Sequence, residues 1–225
     1  MKKILGLCVL LCSASSFAAD AKTTSSHHDF YARIESGAVI PVSKAGKNDQ
    51  PLLNSTKFKA AALYGVSVGY KFDDMFRSEI ETQFRNMNYK NTQAPAGPTS
   101  RTSAKTDLKS WSMFWNGYVD AKNSTIFTPY ATVGIGYSYL MSGNATTNNT
   151  TATYVNPGKN TSNFAWNAGI GSKIKLHDSF DLDVAAKYVD LGKVKFGPPT
   201  QGITPLGKGS KVANVEVSVG LAYNF

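Results

Sequence analysis

The sequence predicts an all-β protein, an eight-stranded antiparallel transmembrane β-barrel with up-and-down meander topology. Three observations carry this. The final segment, 211–225, alternates strictly: Ala213, Val215, Val217, Val219, Leu221, Tyr223 and Phe225 share one face, and Asn214, Glu216, Ser218, Gly220, Ala222 and Asn224 the other. That is the period of a two-faced strand. Seven earlier segments repeat the pattern at lengths of about 10–15 residues, enough to cross a bilayer at a tilt. The connections run long, short, long, short, long, short, long, the asymmetry of membrane barrels with brief turns on one side and loops on the other.

The chain has 225 residues, 42% of them hydrophobic. Residues 1–18 read as a secretory signal peptide: Lys2 and Lys3 precede an apolar run over 4–17, and Ser16-Phe17-Ala18 supplies a small-x-small cleavage site. The run is too short for a spanning helix, which needs roughly 20 residues. Both cysteines, Cys8 and Cys12, fall inside it, so no disulfide is expected after cleavage, and the residues ahead of each cysteine do not fit a lipidation site. Residues 19–29 form a polar periplasmic leader, and 30–225 the barrel. No later stretch is a continuous apolar span, so a membrane-crossing chain must close as a barrel to satisfy its backbone in lipid.

The strands are expected at 30–40, 57–72, 76–89, 107–120, 129–141, 163–176, 180–189 and 211–225. In the first, Phe30, Ala32, Ile34, Ala38 and Ile40 oppose Tyr31, Arg33, Glu35 and Gly37. In the second, Ala60, Ala62, Tyr64, Val66, Val68 and Tyr70 oppose Gly65, Ser67, Gly69 and Lys71. The third is the most charged, with Arg77, Glu79, Glu81, Gln83 and Arg85 against Phe76, Ile80, Thr82 and Phe84. The fourth sets Trp111, Met113, Trp115 and Val119 against Ser110, Ser112, Asn116, Tyr118 and Asp120. The fifth and sixth carry glycines on their polar faces, at Gly134, Gly136, Gly169 and Gly171; these read as small inward residues beneath bulky neighbours. The seventh opposes Asp181, Asp183, Ala185 and Lys187 to Phe180, Leu182, Val184, Ala186 and Tyr188. Turns near Asp73, Lys122 and Asp178 would be periplasmic, and loops 41–56, 90–106, 142–162 and 190–210 external.

Charge follows the same division. Without Lys2 and Lys3 the chain carries 22 basic and 15 acidic residues, a net of +7, and the four loops account for all of it. The loop cations are Lys44, Lys47, Lys90, Arg101, Lys105, Lys159, Lys193, Lys195 and Lys208. Leader, strands and turns net to zero, as a low-dielectric interior requires of paired charges, while excess positive charge outside favours anionic partners. Arg33, Glu35, Arg77, Glu79, Glu81, Arg85, Asp181, Asp183, Lys187 and Glu216 form the expected interior ion network. An eight-strand barrel is only wide enough for side chains to fill it, so the network reads as a plug rather than an ion path. The outward aromatics Tyr64, Tyr70, Trp111, Trp115, Tyr137, Tyr139, Trp166, Tyr188 and Tyr223 read as an interfacial girdle.

Catalytic and metal chemistry are not expected. The three histidines, His27, His28 and His177, map to the periplasmic end, and nothing supplies the other ligands a metal needs. The several Asn-x-Ser/Thr sequons read as loop composition. No cofactor and no nucleic-acid partner are expected.

The chain resembles the OmpX/opacity-type outer-membrane β-barrel family and is similar to the small surface adhesins of rickettsiae. The resemblance rests on Met1-Lys2-Lys3 with its signal peptide, Tyr31-Ala32-Arg33-Ile34, Val68-Gly69-Tyr70-Lys71-Phe72, Asn116-Gly117-Tyr118-Val119-Asp120, Val133-Gly134-Ile135-Gly136, Lys193-Val194-Lys195-Phe196-Gly197 and Tyr223-Asn224-Phe225. It implies a barrel in the outer membrane of a Gram-negative bacterium that binds host proteins. Leu221, Tyr223 and Phe225 resemble the terminal signal read by the outer-membrane assembly machinery.

The expected function is therefore a monomeric surface barrel with a closed, ion-paired interior, binding host-surface or serum proteins through its four basic loops. The rivals are a structural barrel contacting outer-membrane lipid and lipopolysaccharide, a narrow channel, and a soluble lipocalin-type barrel. The last predicts an apolar interior and a polar exterior.

Overall fold

The computed structural model describes residues 29–42, 61–93, 102–121, 123–148, 153–195 and 210–225. The strands are β1 (Phe30–Pro41), β2 (Ala61–Lys71), β3 (Phe76–Gln93), β4 (Thr102–Asp120), β5 (Phe127–Ser142), β6 (Ala145–Asn148), β7 (Thr153–Asn156), β8 (Thr161–His177), β9 (Phe180–Val194) and β10 (Ser210–Asn224). Eight of them close a ring in the order β3-β2-β1-β10-β9-β8-β5-β4, sealed by β3–β4 pairing. Every adjacent pair is antiparallel. The remaining hairpin, β6–β7, attaches to the far end of β4 through Ser103, Ala104 and Lys105.

Register fixes the shape. The paired residues run from Phe30 to Tyr70, Ser78, Gly117, Val133, Ala168, Tyr188 and Val215, and return to β1 at Ile40, ten residues above the start. This stagger tilts the strands by about 35–45°, as closed barrels require. Closure leaves the ring no unpaired edge. The last pairing is local to the seam, where the Phe225 amide donates to the Phe30 carbonyl at 3.0 Å.

The faces are the reverse of a soluble barrel's. Arg85 is 0% exposed, while Ile80 on the same strand is 50% exposed. Ile34, Val68, Val133, Ile170 and Val219 are also exposed. An apolar belt running round the whole ring is stable only against hydrocarbon. Aromatic side chains rim it at two levels. At the end holding the short turns and Phe225, Phe30 contacts Tyr70, and Phe180 contacts Tyr223, at centroid distances of 4.8 and 5.1 Å. At the loop end the pairs are Trp111–Tyr137 and Trp166–Tyr188, at 6.3 and 5.4 Å. Trp115 does not join either rim as expected. It lies between Ile80 and Ile135 within the belt, and its indole N–H is satisfied by Ser78 Oγ at 2.7 Å.

The loop-end boundaries differ from those expected. β3 and β4 continue into residues assigned to the 90–106 loop, the 142–162 loop contains the β6–β7 hairpin, and β9 runs on through Asp190 and Lys193 to Val194. The β3 and β4 extensions and the hairpin are rich in Thr, Asn, Ser and Lys, so hydrophobic alternation, the signal that marks a strand, disappears while the pairing persists. Near this end the register also shifts between Lys211 and Ala213. Ala213, expected on the outward face, is buried there. The expected signal peptide and residues 19–28 lie outside the described residues.

Candidate functional site

The inward face forms a stack of polar layers from the turn end upward. At the turn-end mouth a cavity of about 870 Å³ is lined by Lys71, Lys173, Asp120, Asp181 and Asn224, among others. Lys71 Nζ donates to Asn224 Oδ1 at 2.7 Å, Asn224 Nδ2 donates to Asp181 at 3.0 Å, and Lys173 pairs with Asp120.

Above the mouth, Arg77 is held by charge and by aromatic rings. Its Nε donates to both Asp120 oxygens at 3.1 and 3.2 Å, and its Nη1 donates to the Tyr31 hydroxyl at 2.8 Å. Its guanidinium carbon lies 3.8 Å from the Tyr118 ring centroid and 4.7 Å from that of Tyr130, within cation–π range. Glycine makes room for these rings. A side chain at Gly69 would overlap the Tyr31 ring, and one at Gly171 the Tyr130 ring.

Arg33 is the next hub. It reaches Glu35 at 2.8 Å, Glu81 at 3.0 Å and Asp183 at 3.4 Å, and it also pairs with Glu79. Lys187 Nζ donates to Glu81 at 2.8 and 3.1 Å, and Asn116 Nδ2 donates to the same carboxylate at 2.8 Å. Higher still, Arg85 grips Glu216 through two nitrogens at 2.6 and 2.8 Å, and its Nη1 donates to Ser112 Oγ at 2.6 Å.

At the loop end the interior turns apolar. Val39, Leu63, Met87, Leu108, Phe114, Leu140, Val189 and Leu191 belong to one buried cluster. This apolar layer departs from the polar interior that the strand patterns predict. Its signal was present, because Leu63, Met87 and Leu140 keep the inward parity of their strands. Val39, Leu63, Met87, Leu108, Phe114, Leu140 and Val189 fall within the expected strands without being assigned to either face, and only Leu191 falls in an expected loop, 190–210.

The charges do not cancel among the expected residues alone. Among the described residues the buried cations are Arg33, Arg77, Arg85 and Lys187, and the buried carboxylates are Glu35, Glu79, Glu81, Asp120, Asp183, Asp190 and Glu216. Lys173 offsets Asp120 from the mouth, and Lys211 offsets Asp190 at 2.7 Å. Neutral donors supply the rest of the solvation. Tyr31 and Tyr118 donate to Glu79 at 2.8 and 3.1 Å, Tyr130 donates to Asp183 at 2.8 Å, and Gln83 donates to Glu35 at 2.6 Å. A buried charge is tolerated only when paired and hydrogen-bonded, and these phenols do part of that.

Nine of the ten expected interior residues are buried and form the contacts above. Asp181 is displaced to the mouth, where it meets Asn224 rather than the Arg33 hub. Tyr31, Tyr118, Tyr130, Asp120 and Lys173 join the network without being among the ten expected residues. Parity marks them inward, but a tyrosine on a barrel strand suits a lipid interface equally well. Of the loop cations, Lys159, Lys193 and Lys195 are exposed. Lys90 and Lys105 lie on β3 and β4 rather than in a loop, and Asp190, counted with the loop charge, is buried on β9. Lys44, Lys47, Arg101 and Lys208 lie outside the described residues. Leu221, Tyr223 and Phe225 all face outward at the turn end. His177 ends β8 at the same side, while His27 and His28 lie outside the described residues.

A family profile described as "Outer membrane protein beta-barrel domain" matches residues 7–225. The chain is 32% identical over 177 residues to Outer membrane protein PagN of Salmonella typhimurium, covering 72% of each chain. It is 26% identical over 237 residues to a Rickettsia bellii protein named "Putative adhesin", covering 100% of both. Among solved structures it is similar to OprG of Pseudomonas aeruginosa, with a TM-score of 0.54 at 15% identity over 88% of this chain and 95% of that one. Neisserial surface protein A gives a TM-score of 0.50 at 18% identity over 87% and 97%. A fold closed through eight strands with charge inside, matched by this profile over nearly its whole length, leaves one conclusion: the chain belongs to the outer membrane β-barrel family and resides in the outer membrane of a Gram-negative bacterium.

Proposed function

We propose that the loop end faces the cell exterior and acts as an adhesin-like binding surface for host-cell or serum proteins, with residues 1–18 serving as the export signal. The observation that carries this reading is the extension of the barrel wall. β3 and β4 run on to Gln93 and Thr102, and β6 and β7 widen them into a four-stranded sheet beyond the ring. Loops organised on a rigid sheet are the usual place for recognition. The name of the Rickettsia relative supports the same role. Passage through the barrel is opposed by its filling, because the ion-paired layers and the apolar cluster occupy the cross-section in sequence. The interior is a plug that holds the wall rigid.

The test uses intact bacteria expressing the full chain. Attachment to cultured host cells is compared between the native protein and a variant in which 145–156 is replaced by a short Asn-Gly turn joining Asn144 to Pro157. Heat-modifiable migration confirms that the variant barrel has closed. Loss of attachment with the barrel intact is the expected result. Unchanged attachment by this variant and by one with all four loops exchanged would end the adhesin reading.

A further inference from the structure

The β6–β7 hairpin joins the ring through a neck made of residues 142–144 and 157–160. The outgoing side is held by β4, where the Gly143 amide donates to the Asp107 carbonyl at 2.8 Å and β6 pairs with Ser103, Ala104 and Lys105. Among the described residues β7, on the returning side, pairs with β6 alone. Below it, Ser142 holds the returning chain. The Lys159 amide donates to Ser142 Oγ at 2.8 Å, and Ser142 Oγ donates to the Lys159 carbonyl at 2.9 Å. A strand residue offers its neighbour one backbone donor and one acceptor; here a single hydroxyl supplies both. Next to this clamp, the Gly158 amide donates to Asn144 Oδ1 at 3.1 Å, and Asn160 Nδ2 donates to the Tyr139 hydroxyl at 2.9 Å.

Close approach of the two sides makes the clamp. A β-carbon at Gly158 would overlap the Ser142 carbonyl oxygen and crowd the Gly143 carbonyl at 2.8 Å, and both are backbone atoms. Only glycine therefore lets the returning chain come near enough for Ser142 to reach Lys159. We propose that Ser142 and Gly158 are positioning residues for recognition of host proteins: they fix the direction in which the β6–β7 hairpin leaves the ring. A partner then meets a sheet that is already ordered, and binding carries less of the cost of immobilising it. This rests on the reading of the hairpin as part of the binding surface, and it deepens that reading by naming what holds the surface in place. The clamp is exposed and lies outside the ring, so it contributes little to barrel stability. Its loss is read in recognition instead.

The experiment uses intact bacteria expressing the full chain. Attachment to cultured host cells is measured for Ser142→Ala, Ser142→Thr, Gly158→Ala and the chain shortened over 145–156. Heat-modifiable migration and urea unfolding are expected to match the native protein in the three point variants. Ser142→Ala loses both bonds to Lys159 and is expected to attach about tenfold more weakly. Ser142→Thr keeps the hydroxyl and is expected to attach as the native protein does. Gly158→Ala is expected to fall as far as Ser142→Ala, and it carries the test if that variant does not insert. Order in the neck is read by pulsed EPR on purified protein, between nitroxides at Lys159→Cys and Asp178→Cys. The distance distribution is expected to broaden with Ser142→Ala and to narrow again with Ser142→Thr. Native attachment by Ser142→Ala and Gly158→Ala, where the shortened chain does not attach, overturns the proposal and leaves the adhesin reading standing. A loss that Ser142→Thr fails to restore, or a loss without broadening, overturns it as well. Native attachment by the shortened chain removes the hairpin from the binding surface, and the proposal with it.

Discussion

Arg85 on β3 and Glu216 on β10 are 131 residues apart in sequence and meet across the barrel interior through two hydrogen bonds of 2.6 and 2.8 Å. Both are fully buried. Removing one partner strands the other charge where no water can replace it. Arg85→Ala or Glu216→Gln is therefore expected to cost about 3–5 kcal/mol in urea unfolding from detergent or bilayers. The double variant Arg85→Met/Glu216→Leu, which removes both charges, is expected to recover much of this. A double variant as unstable as the sum of the singles would mean that the two side chains contribute independently.

Tyr31 lies over Gly69 on the neighbouring strand, where a β-carbon would overlap its ring. Gly69→Val is expected to destabilise the barrel by about 1–3 kcal/mol through overpacking, and Tyr31→Ala in the same chain should relieve the steric part. The readout is the coupling in a double-mutant cycle. Strictly additive effects would show that the ring and the glycine do not share one space.

Val133 is 66% exposed and lies in the outward belt between the two aromatic rims. Val133→Arg places a charge against hydrocarbon and is expected to cost about 2–4 kcal/mol in lipid vesicles. An exposed valine on a water-facing sheet would tolerate the same change within about 0.5 kcal/mol, so the measured cost separates the two environments.

The layered interior predicts no steady single-channel current from protein reconstituted in planar bilayers. Leu63, Met87 and Leu140 close the loop end while the Arg33 hub fills the middle. Ohmic conductance surviving purification, and altered by Arg33→Ala, would require a continuous water path and would contradict the plug.

Phe225 faces outward at the seam, with its ring 5.1 Å from Tyr223 and its amide bonded to Phe30. Its deletion, or Phe225→Ser, is expected to lower the amount of protein inserted in cells far more than it lowers unfolding stability once inserted. Equal losses in both would assign Phe225 to packing alone.

The interior was legible in the sequence as far as period 2 extends. Alternation is local, so Arg77, Glu79, Glu81 and Arg85 declare a common face within one strand. It names no partner on another. Parity puts Leu63, Met87 and Leu140 on the inward face, but their gathering into one layer at the loop end and the strand extensions were not legible, because position along one strand does not say which layer a side chain will occupy. Nor did 90–93 or 102–106, nearly all polar, show the alternation that marks a strand.

What the sequence by itself determined is the number of barrel strands, their order in a meander, and the side that residues of the regular strand segments face, since steric alternation of the backbone depends only on neighbours along the chain; Ala213, beside the register shift, escapes it. What only the tertiary structure decided is who meets whom. A ten-residue stagger accumulates over all eight pairings, and it sets the height of every side chain. That height brings Arg85 to Glu216, leaves Asp181 at the mouth with Asn224, and aligns Lys90 with Lys105 beyond the rim. Stagger is a property of the closed ring, so no single strand contains it.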